Sequence, residues 1–590
     1  MDLRQSLKEQ LSHALVKLGL EGEVVVQDAP SGLGDFATPL AFTLAKKYRR
    51  NPAELARELV GALKLPEGFQ KVVVAGPYVN FQVEPAALVR WALEAQPWPA
   101  TGHLVTVEHT AVNPNKEWHV GHLRNAVLGD TMSRILRARG HTVEVQNYID
   151  DTGRQAAEAL FALEYFQPQH DGSPKYDHWV GQFYVRIQEK LAASDPQVQR
   201  GVEEMLHRVE SGVMRPQVER LVQSHLHTAW RLGIFYDLLV WESDIVASGL
   251  FQEAMERLRR SPYVEQPAGG KFQNCLILHM GQFVPNLEEP DKVLIKSNGV
   301  ATYTAKDIAM HLWKYRLAGN MHYALFAVQP NGCPVYTTHI RGDLQYERRK
   351  PDALVNVIDV RQSFPQEIVK VALAVLGYEA ESQGFHHLAY EVVDLPEGSM
   401  SGRKGRTVAA DELLDQAVAL SQRIIGEKNP ALVGADQVAE WVGVGAVRFA
   451  MVKPKTTSKI TFRWEDVLNF DGDAAPYVQY AHARACAILR KAGGIASADL
   501  KYAGPGEVEL AKVLLKLRDI IDAAASSYAP NRVAEYALEL ATAFNTYYHQ
   551  YRVLDAEPGV RELRLGLVNR ARQVLAEALD LLGIVAPAQM

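Results

Sequence analysis

The chain has 590 residues, 47% of them hydrophobic and 22% charged, with a formal net charge of −6. At roughly 100–200 residues per domain this makes about three to five domains of ordinary soluble globular composition. The charge excludes a basic nucleic-acid coat, though not a local basic face, because phosphate binding depends on where charge lies. Cys275, Cys333 and Cys486 are far apart with no CxxC pair, which argues against a zinc ribbon or a disulfide framework and fits a reducing cytoplasm. No apolar run is long enough to suggest a membrane span.

The opening stretch, MDLRQSLKEQLSHAL, mixes both charge signs and lacks an apolar core segment, so no secretory signal is expected. LRQSLKEQLSHALVKLG reads as an amphipathic helix stopped by Gly19, and KVVVAGPYVNFQV as two strands around a Gly-Pro turn. Residues 1–100 thus form a small α/β domain, closed by the linker EAQPWPATG. HLVTVEHT then reads as a strand. After a Pro-containing loop, Leu123, Val127, Ile135 and Leu136 recur at helical spacing and predict a helix over 122–139, stopped by Gly140. TVEVQNYID supplies the next strand. This βαβ unit implies a parallel sheet with a ligand crevice at the carboxyl ends of its strands. Residues 155–270 read as a mostly helical insertion, and YALFAV and LVNVIDV as strands that complete the sheet, which places this domain at 101–385. A connecting domain at 386–470 carries the Gly- and Lys-rich loop EGSMSGRKGRT. From 471 to 590 the chain is helical, with one apolar stripe through Leu510, Leu514, Leu517 and Ile521 and another through Val533, Leu540, Phe544 and Tyr547, the pattern of a helix bundle.

The chemistry concentrates in NPNKEWHVGHLRNAVLGD, residues 113–130, where strand gives way to helix. Free N–H groups and the positive dipole end of a helix attract phosphate there. Gly121 has no side chain, so a flat base could approach the backbone. His119 and His122 can donate hydrogen bonds to phosphate oxygens, and Lys116 adds a fixed positive charge. A lone HxxH can also be incidental, or half of a zinc site. HExxH is absent, and no cysteine or carboxylate cluster completes a zinc site. The second loop, Ser399–Gly405, holds two glycines with Arg403 and Lys404; alone it reads equally as a solvated basic loop.

Together, HVGH and MSGRKG resemble the two signatures of class I aminoacyl-tRNA synthetases. VEHTAVNPNKEWHVGHLRN, NYIDDTGRQ, YTAKDIA, IDVRQS and APYVQYAHAR follow in order as in arginyl-tRNA synthetases of bacterial type, and the ending LDLLGIVAPAQM is similar too. The resemblance spans essentially the whole chain. It implies a Rossmann-type catalytic domain with a helical insertion, an added N-terminal domain that contacts the tRNA elbow, and an all-α anticodon-binding domain at the C-terminus. It further implies a two-step ligase. The carboxylate of L-arginine attacks the α-phosphate of ATP and expels pyrophosphate; arginine then passes to the 3′ end of tRNA(Arg). The family generally requires tRNA for activation, and the resemblance points to a monomer. Mg²⁺ is implied by the ATP chemistry, with no metal-ligand motif of its own.

Residue by residue, the resemblance assigns the ATP site to His119, Gly121, His122, Met400, Ser401, Arg403 and Lys404. The family often has lysine before Met400, and the wider class has another after Ser401; here these positions are Ser399 and Gly402. Lys116 and Lys404 are the candidates to replace them, beside His119 and His122, in catalysis. Glu108, Asn113, Tyr303, Asp307 and Gln362 are expected to line the amino-acid pocket, with Glu108 and Asp307 toward the guanidinium and Asn113 toward the carboxylate. A planar fork of donors that is always charged needs such acceptors. Tyr477, Tyr480 and Met590 are expected against the anticodon, and Asn80 and Phe81 against the tRNA elbow. Two other classes remain open: a nucleotidyltransferase that never meets tRNA, against which the aromatic-rich helical C-terminus argues, and a non-catalytic tRNA-binding paralogue, which the missing lysines keep in play.

Overall fold

All five residues of Leu104–Glu108 (β1) are buried. A strand buried on both faces belongs in the middle of a parallel sheet with helices on both sides. The computed structural model, which describes residues 3–590 except 31, 95–96, 286, 288, 345, 347, 395–407, 468–471 and 495–496, places it there. Its sheet has seven strands: β1, Thr142–Ile149 (β2), Leu238–Trp241 (β3), Tyr323–Val328 (β4), Pro334–Thr338 (β5), Ala353–Asp359 (β6) and Phe385–Tyr390 (β7). Their spatial order is β4-β5-β3-β2-β1-β6-β7, all parallel except the edge strand β4. The chain leaves β1 for β2 on one side and later fills β6 on the other. The carboxyl end of β1 is therefore the switch point, where such sheets open a crevice.

The helix that follows β1, Val120–Ala138 (α1), matches the expected helix closely. Gly140 ends it with φ of 98°, and a Cβ there would meet the Pro99 carbonyl. The expected insertion differs from the structure at its far end. Its helices, Arg154–Phe166, Tyr176–Ala192, Pro196–Glu210 and Arg215–Arg231, stop before β3, which belongs to the main sheet. LLVW is too short and too uniformly apolar to show a period. Beyond it stands a three-stranded antiparallel sheet of Val264–Glu265, Leu276–His279 and Asp291–Ile295, also unforeseen. At the other edge β7 carries the main sheet past residue 385.

The N-terminal residues form a four-stranded antiparallel sheet in which Phe69–Ala75 pairs with Tyr78–Val83, as expected. Phe81 is fully buried there and meets Phe69 edge-on, and Asn80 is 2% exposed. This corrects the expectation that the two side chains face RNA: neighbours on a strand point to opposite faces, and both faces are covered at this place. Tyr78, 44% exposed, is the aromatic of this hairpin that reaches solvent.

Toward the C-terminus come Tyr303–Lys314 (α2), Ala410–Lys428 (α3), Ala435–Val452 (α4), and a bundle of Ala475–Ala492 (α5), Pro505–Ser527 (α6), Asn531–Gln550 (α7) and Val560–Leu581 (α8). Both apolar stripes of the bundle are buried. No helix of the described residues is long and apolar enough to cross a membrane.

Two buried arginines bind α1 to the rest. Arg124 donates to the carbonyls of Glu391, Ser458 and Lys455. Arg448, on α4, donates to Asp130 Oδ2 at 2.5 Å and to the carbonyls of Leu582 and Leu232. Gly583 has φ of 68°, and a Cβ on it would strike the Arg448 guanidinium. Burial alone would raise the Asp130 carboxyl, but Arg134 and Arg448 hold it below its usual range. Asp130→Ala leaves Arg448 buried without its counterion and should cost about 3–5 kcal/mol. Urea denaturation should show this as a lowered midpoint, largely restored in Asp130→Ala/Arg448→Met.

Candidate active site

His119 is the N-cap of α1. Its Nδ1 accepts the N–H of Gly121 at 3.1 Å, and His122 Nδ1 accepts the N–H of His119 at 3.2 Å. The two side chains thus complete a reciprocal capping box, with their rings stacked at 3.6 Å between centroids. Both Nδ1 atoms act as acceptors, so each neutral ring carries its proton on Nε2. Burial, then Lys116, lowers His119 to about 4. Burial also lowers His122, and further again by His119, His225 and Lys116. The pair at the helix start is therefore two neutral N–H donors next to one buried ammonium. Gly121 has a local reason as well: a Cβ would sit 3.0 Å from the His119 ring.

Met400, Ser401, Arg403 and Lys404 lie outside the described residues. The chain on either side of them is fixed to α1. Glu391 accepts from Arg124, Val408 O accepts the N–H of Val120 at 3.2 Å, and the N–H of Ala410 donates to Trp118 O at 2.8 Å.

At the crevice Glu108 and Lys314 form a buried ion pair of 2.7 Å. Thr302 caps α2 and accepts the N–H of Ala305, and Tyr303, Asp307 and Lys314 follow along that helix. Burial, with Glu108 adding to it, pushes Asp307 up to about 7. A second group lies at the end of β2. Glu242 accepts from Lys306 Nζ at 2.6 Å, from the Tyr148 hydroxyl at 2.5 Å and from Thr152. Burial, then Glu242 and Asp151, raise Asp150 to about 7. Among the described residues neither Asp150 nor Asp307 makes an ion pair, and Lys306 offsets only part of the rise in each.

Asn113, Asp150, Gln155, Tyr184, Gln188 and Tyr303 line an adjoining cavity of about 430 Å³. Asn113 and Asn115 both donate to Gln155 Oε1, at 3.2 and 3.1 Å. The structure thus puts Asn113 and Tyr303 on one cavity wall and Asp307 near Glu108, with Tyr303 and Asp307 on the same helix. Gln362 stands exposed after β6, apart from that cavity wall. Asp150, Glu242, Lys306 and Lys314 were not singled out from the sequence. Asp150 falls inside NYIDDTGRQ and could have been; Glu242 has no pattern around it. In the helical region Tyr480, Arg484 and Met590 share a cavity of about 410 Å³ with Lys428 and Asn429, while Tyr477 is partly exposed beside it.

The family model for "tRNA synthetases class I (R), catalytic domain" matches residues 86–329 and 324–464, which makes the sheet and its histidine-capped helix part of a class I tRNA synthetase catalytic domain. The arginyl tRNA synthetase N-terminal domain matches 2–83, and the DALR anticodon binding domain 478–590. The arginine–tRNA ligase of Deinococcus radiodurans is 43% identical over all of both chains, and that of Thermus thermophilus 44%. The solved Thermus thermophilus arginyl-tRNA synthetase superposes with a TM-score of 0.93 at 44% identity over all of both chains. The Plasmodium falciparum enzyme, at 16% identity and a TM-score of 0.71 over 100% and 99% of the two chains, shares the fold. The chain belongs to the arginyl-tRNA synthetase family.

The raised carboxyls make a prediction about the protein without ligand. Between the unfolded value near 4 and the folded value near 7, the folded state holds more protons, so these groups favour folding most at low pH and that contribution is lost as pH rises through about 7. Thermal melts from pH 6 to 8 should show a falling Tm, and Asp150→Asn/Asp307→Asn should flatten the fall.

Proposed function

We infer that the chain is an arginine–tRNA ligase that forms arginyl-adenylate from arginine and ATP and passes arginine to the 3′ end of tRNA(Arg). The observation that carries the specificity is the pair of raised carboxyls, Asp150 just past β2 and Asp307 near Glu108 at the end of β1. Burial and neighbouring acids raise both Asp150 and Asp307, and the nearby lysines offset only part of that rise. A guanidinium brings a charge of its own and a planar fork of donors suited to carboxylate acceptors. Asn113, on the wall shared with Tyr303, is the residue we assign to the substrate's carboxylate end. Glu108 contributes through its pair with Lys314, and Gln362 from the crevice rim.

In the first step an arginine carboxylate oxygen bonds to the α-phosphorus in line, and the bond to the pyrophosphate oxygen breaks. The Nε2–H donors of His119 and His122 and the Lys116 ammonium stabilise charge that grows on phosphate oxygens; Met400, Ser401, Arg403 and Lys404 complete this ATP site, and Gly121 admits the base. Mg²⁺ enters with ATP, as part of that substrate. In the second step a hydroxyl of the terminal adenosine attacks the arginyl carbonyl and AMP leaves. The cavity shared by Tyr480, Arg484 and Met590, flanked by Tyr477, supports reading of unstacked anticodon bases. The family and the cysteine usage support a monomer acting in the cytoplasm.

Charging of unfractionated tRNA with each labelled amino acid, ATP and Mg²⁺ tests the reading. Arginine alone should become acid-precipitable; tRNA binding without any charging would overturn it. Asp307→Ala should raise the arginine KM about tenfold or more, roughly 1.4 kcal/mol, in steady-state charging assays. An unchanged KM would remove Asp307 from the pocket.

A further inference from the structure

Thr110 and Ala111 both stand in the left-handed region, with φ of 77° and 43°. Neither is glycine, and Thr110 is β-branched, a type that region tolerates poorly. The N–H of Ala111 reaches back to His109 O at 3.1 Å, closing a γ-turn of the strained form, with positive φ at its centre. The turn separates Glu108 from Asn113. Its conformation therefore sets how those two side chains stand to each other across the amino-acid pocket.

Backbone of this kind persists only where the surroundings over-determine it. Here they do. The N–H of Thr110 donates to Asn125 Oδ1 at 2.5 Å, and its hydroxyl pairs with the Tyr236 hydroxyl at 2.7 Å and with His109 Nδ1 at 2.9 Å. The N–H of Ala111 donates to Asn147 Oδ1 at 3.0 Å. Asn125 is itself fixed, because its Nδ2 donates to Val357 O at 2.7 Å and to the Tyr390 hydroxyl at 3.0 Å. Asn125 sits on α1 and Asn147 on β2, and both are buried. Each spends its amide oxygen on a backbone N–H of the turn, one on either side of it.

We propose that Asn125 and Asn147 are positioning residues for arginine activation, an inference that rests on the function proposed above. They hold Thr110 and Ala111 left-handed, and the turn in that state delivers Asn113 to the substrate carboxylate while Glu108 stays with Lys314. Neither asparagine touches the reacting atoms. Their effect falls on the geometry of attack, and so on kcat more than on ATP binding.

The test is a rescue. Asn147→Ala should lose roughly tenfold or more in kcat of ATP–pyrophosphate exchange with arginine and tRNA present, with the ATP KM unmoved. Glycine takes positive φ without strain, so Asn147→Ala/Ala111→Gly should recover most of the lost rate. Glycine at a positive φ also relieves strain on the fold as a whole, so every rate is measured well below the Tm of each variant, where stability alone does not move kcat. An indifferent Asn147→Ala, or a slow one that Ala111→Gly fails to restore, overturns the inference. If Asn147→Ala is insoluble, the double variant decides: soluble and active supports the proposal, insoluble overturns it. Charging by the unaltered protein is measured alongside. Its failure overturns the function itself, whereas an active wild type with indifferent variants overturns only the role of the asparagines.

Discussion

Asp130 and Arg448 meet where water does not reach, one on the helix that follows the first strand of the sheet, the other on a helix that precedes the C-terminal bundle. A buried charge is tolerable only when paired and hydrogen-bonded, and this one is satisfied from several directions. Arg448 spends its remaining donors on the carbonyls of Leu232 and Leu582. One guanidinium therefore ties together the central sheet's helix, the end of the helical insertion and the end of the last helix. Arg124 does the same work further up α1, where it gathers Glu391, Lys455 and Ser458. Helix packing by apolar stripes alone would allow α1 to slide; fixed donors at two levels do not. The histidines at its start inherit that fixity.

That inheritance bears on the chemistry. Electrostatic stabilisation of a transition state works best when the donors need no reorganisation. His119 and His122 each use Nδ1 to cap the helix, which leaves Nε2–H as the outward group and removes the choice of tautomer. Burial and Lys116 keep His119 neutral through the physiological range. The two rings thus serve structure and site with opposite edges. The same motif that starts the helix also aims its donors.

Much of this was legible in the sequence because the signals are local. The N-terminal hairpin, β1, α1, β2 and the stripes of the bundle declare themselves by period and by their stop residues. β3 did not, because LLVW is four apolar residues and no period can be read from four. Asn80 and Phe81 failed for another reason: alternation leaves one of two strand neighbours facing out, and the sequence does not show that both faces are covered there. At the site, Glu108, Asn113, Tyr303 and Asp307 were reachable through the motifs. Asp150, Glu242, Lys306 and Lys314 matter through pairings across elements, and such pairings exist only once β2, α2 and the chain after β3 are assembled. The left-handed turn at Thr110 and Ala111 has no sequence mark at all, since neither residue is one that ordinarily signals positive φ.

The paired lysines of the pocket also bear on why its substrate should be arginine and not lysine. Lys314 already neutralises Glu108, and Lys306 already neutralises Glu242. An ammonium is a compact point charge, and the protein has supplied its own wherever one suffices. Among the described residues Asp150 and Asp307 make no ion pair; they come from different elements and are both raised to about 7 by burial and by neighbouring acids. Arginine and lysine carry the same single charge, so charge alone does not separate them. They differ in shape: a guanidinium spreads its charge over a plane with five donors in a fixed fork, whereas an ammonium is one compact point. In the proposed pocket, selectivity would follow from that difference, because acceptors on separate elements suit a planar fork better than a point charge, and an acceptor left without a donor in a buried site costs free energy.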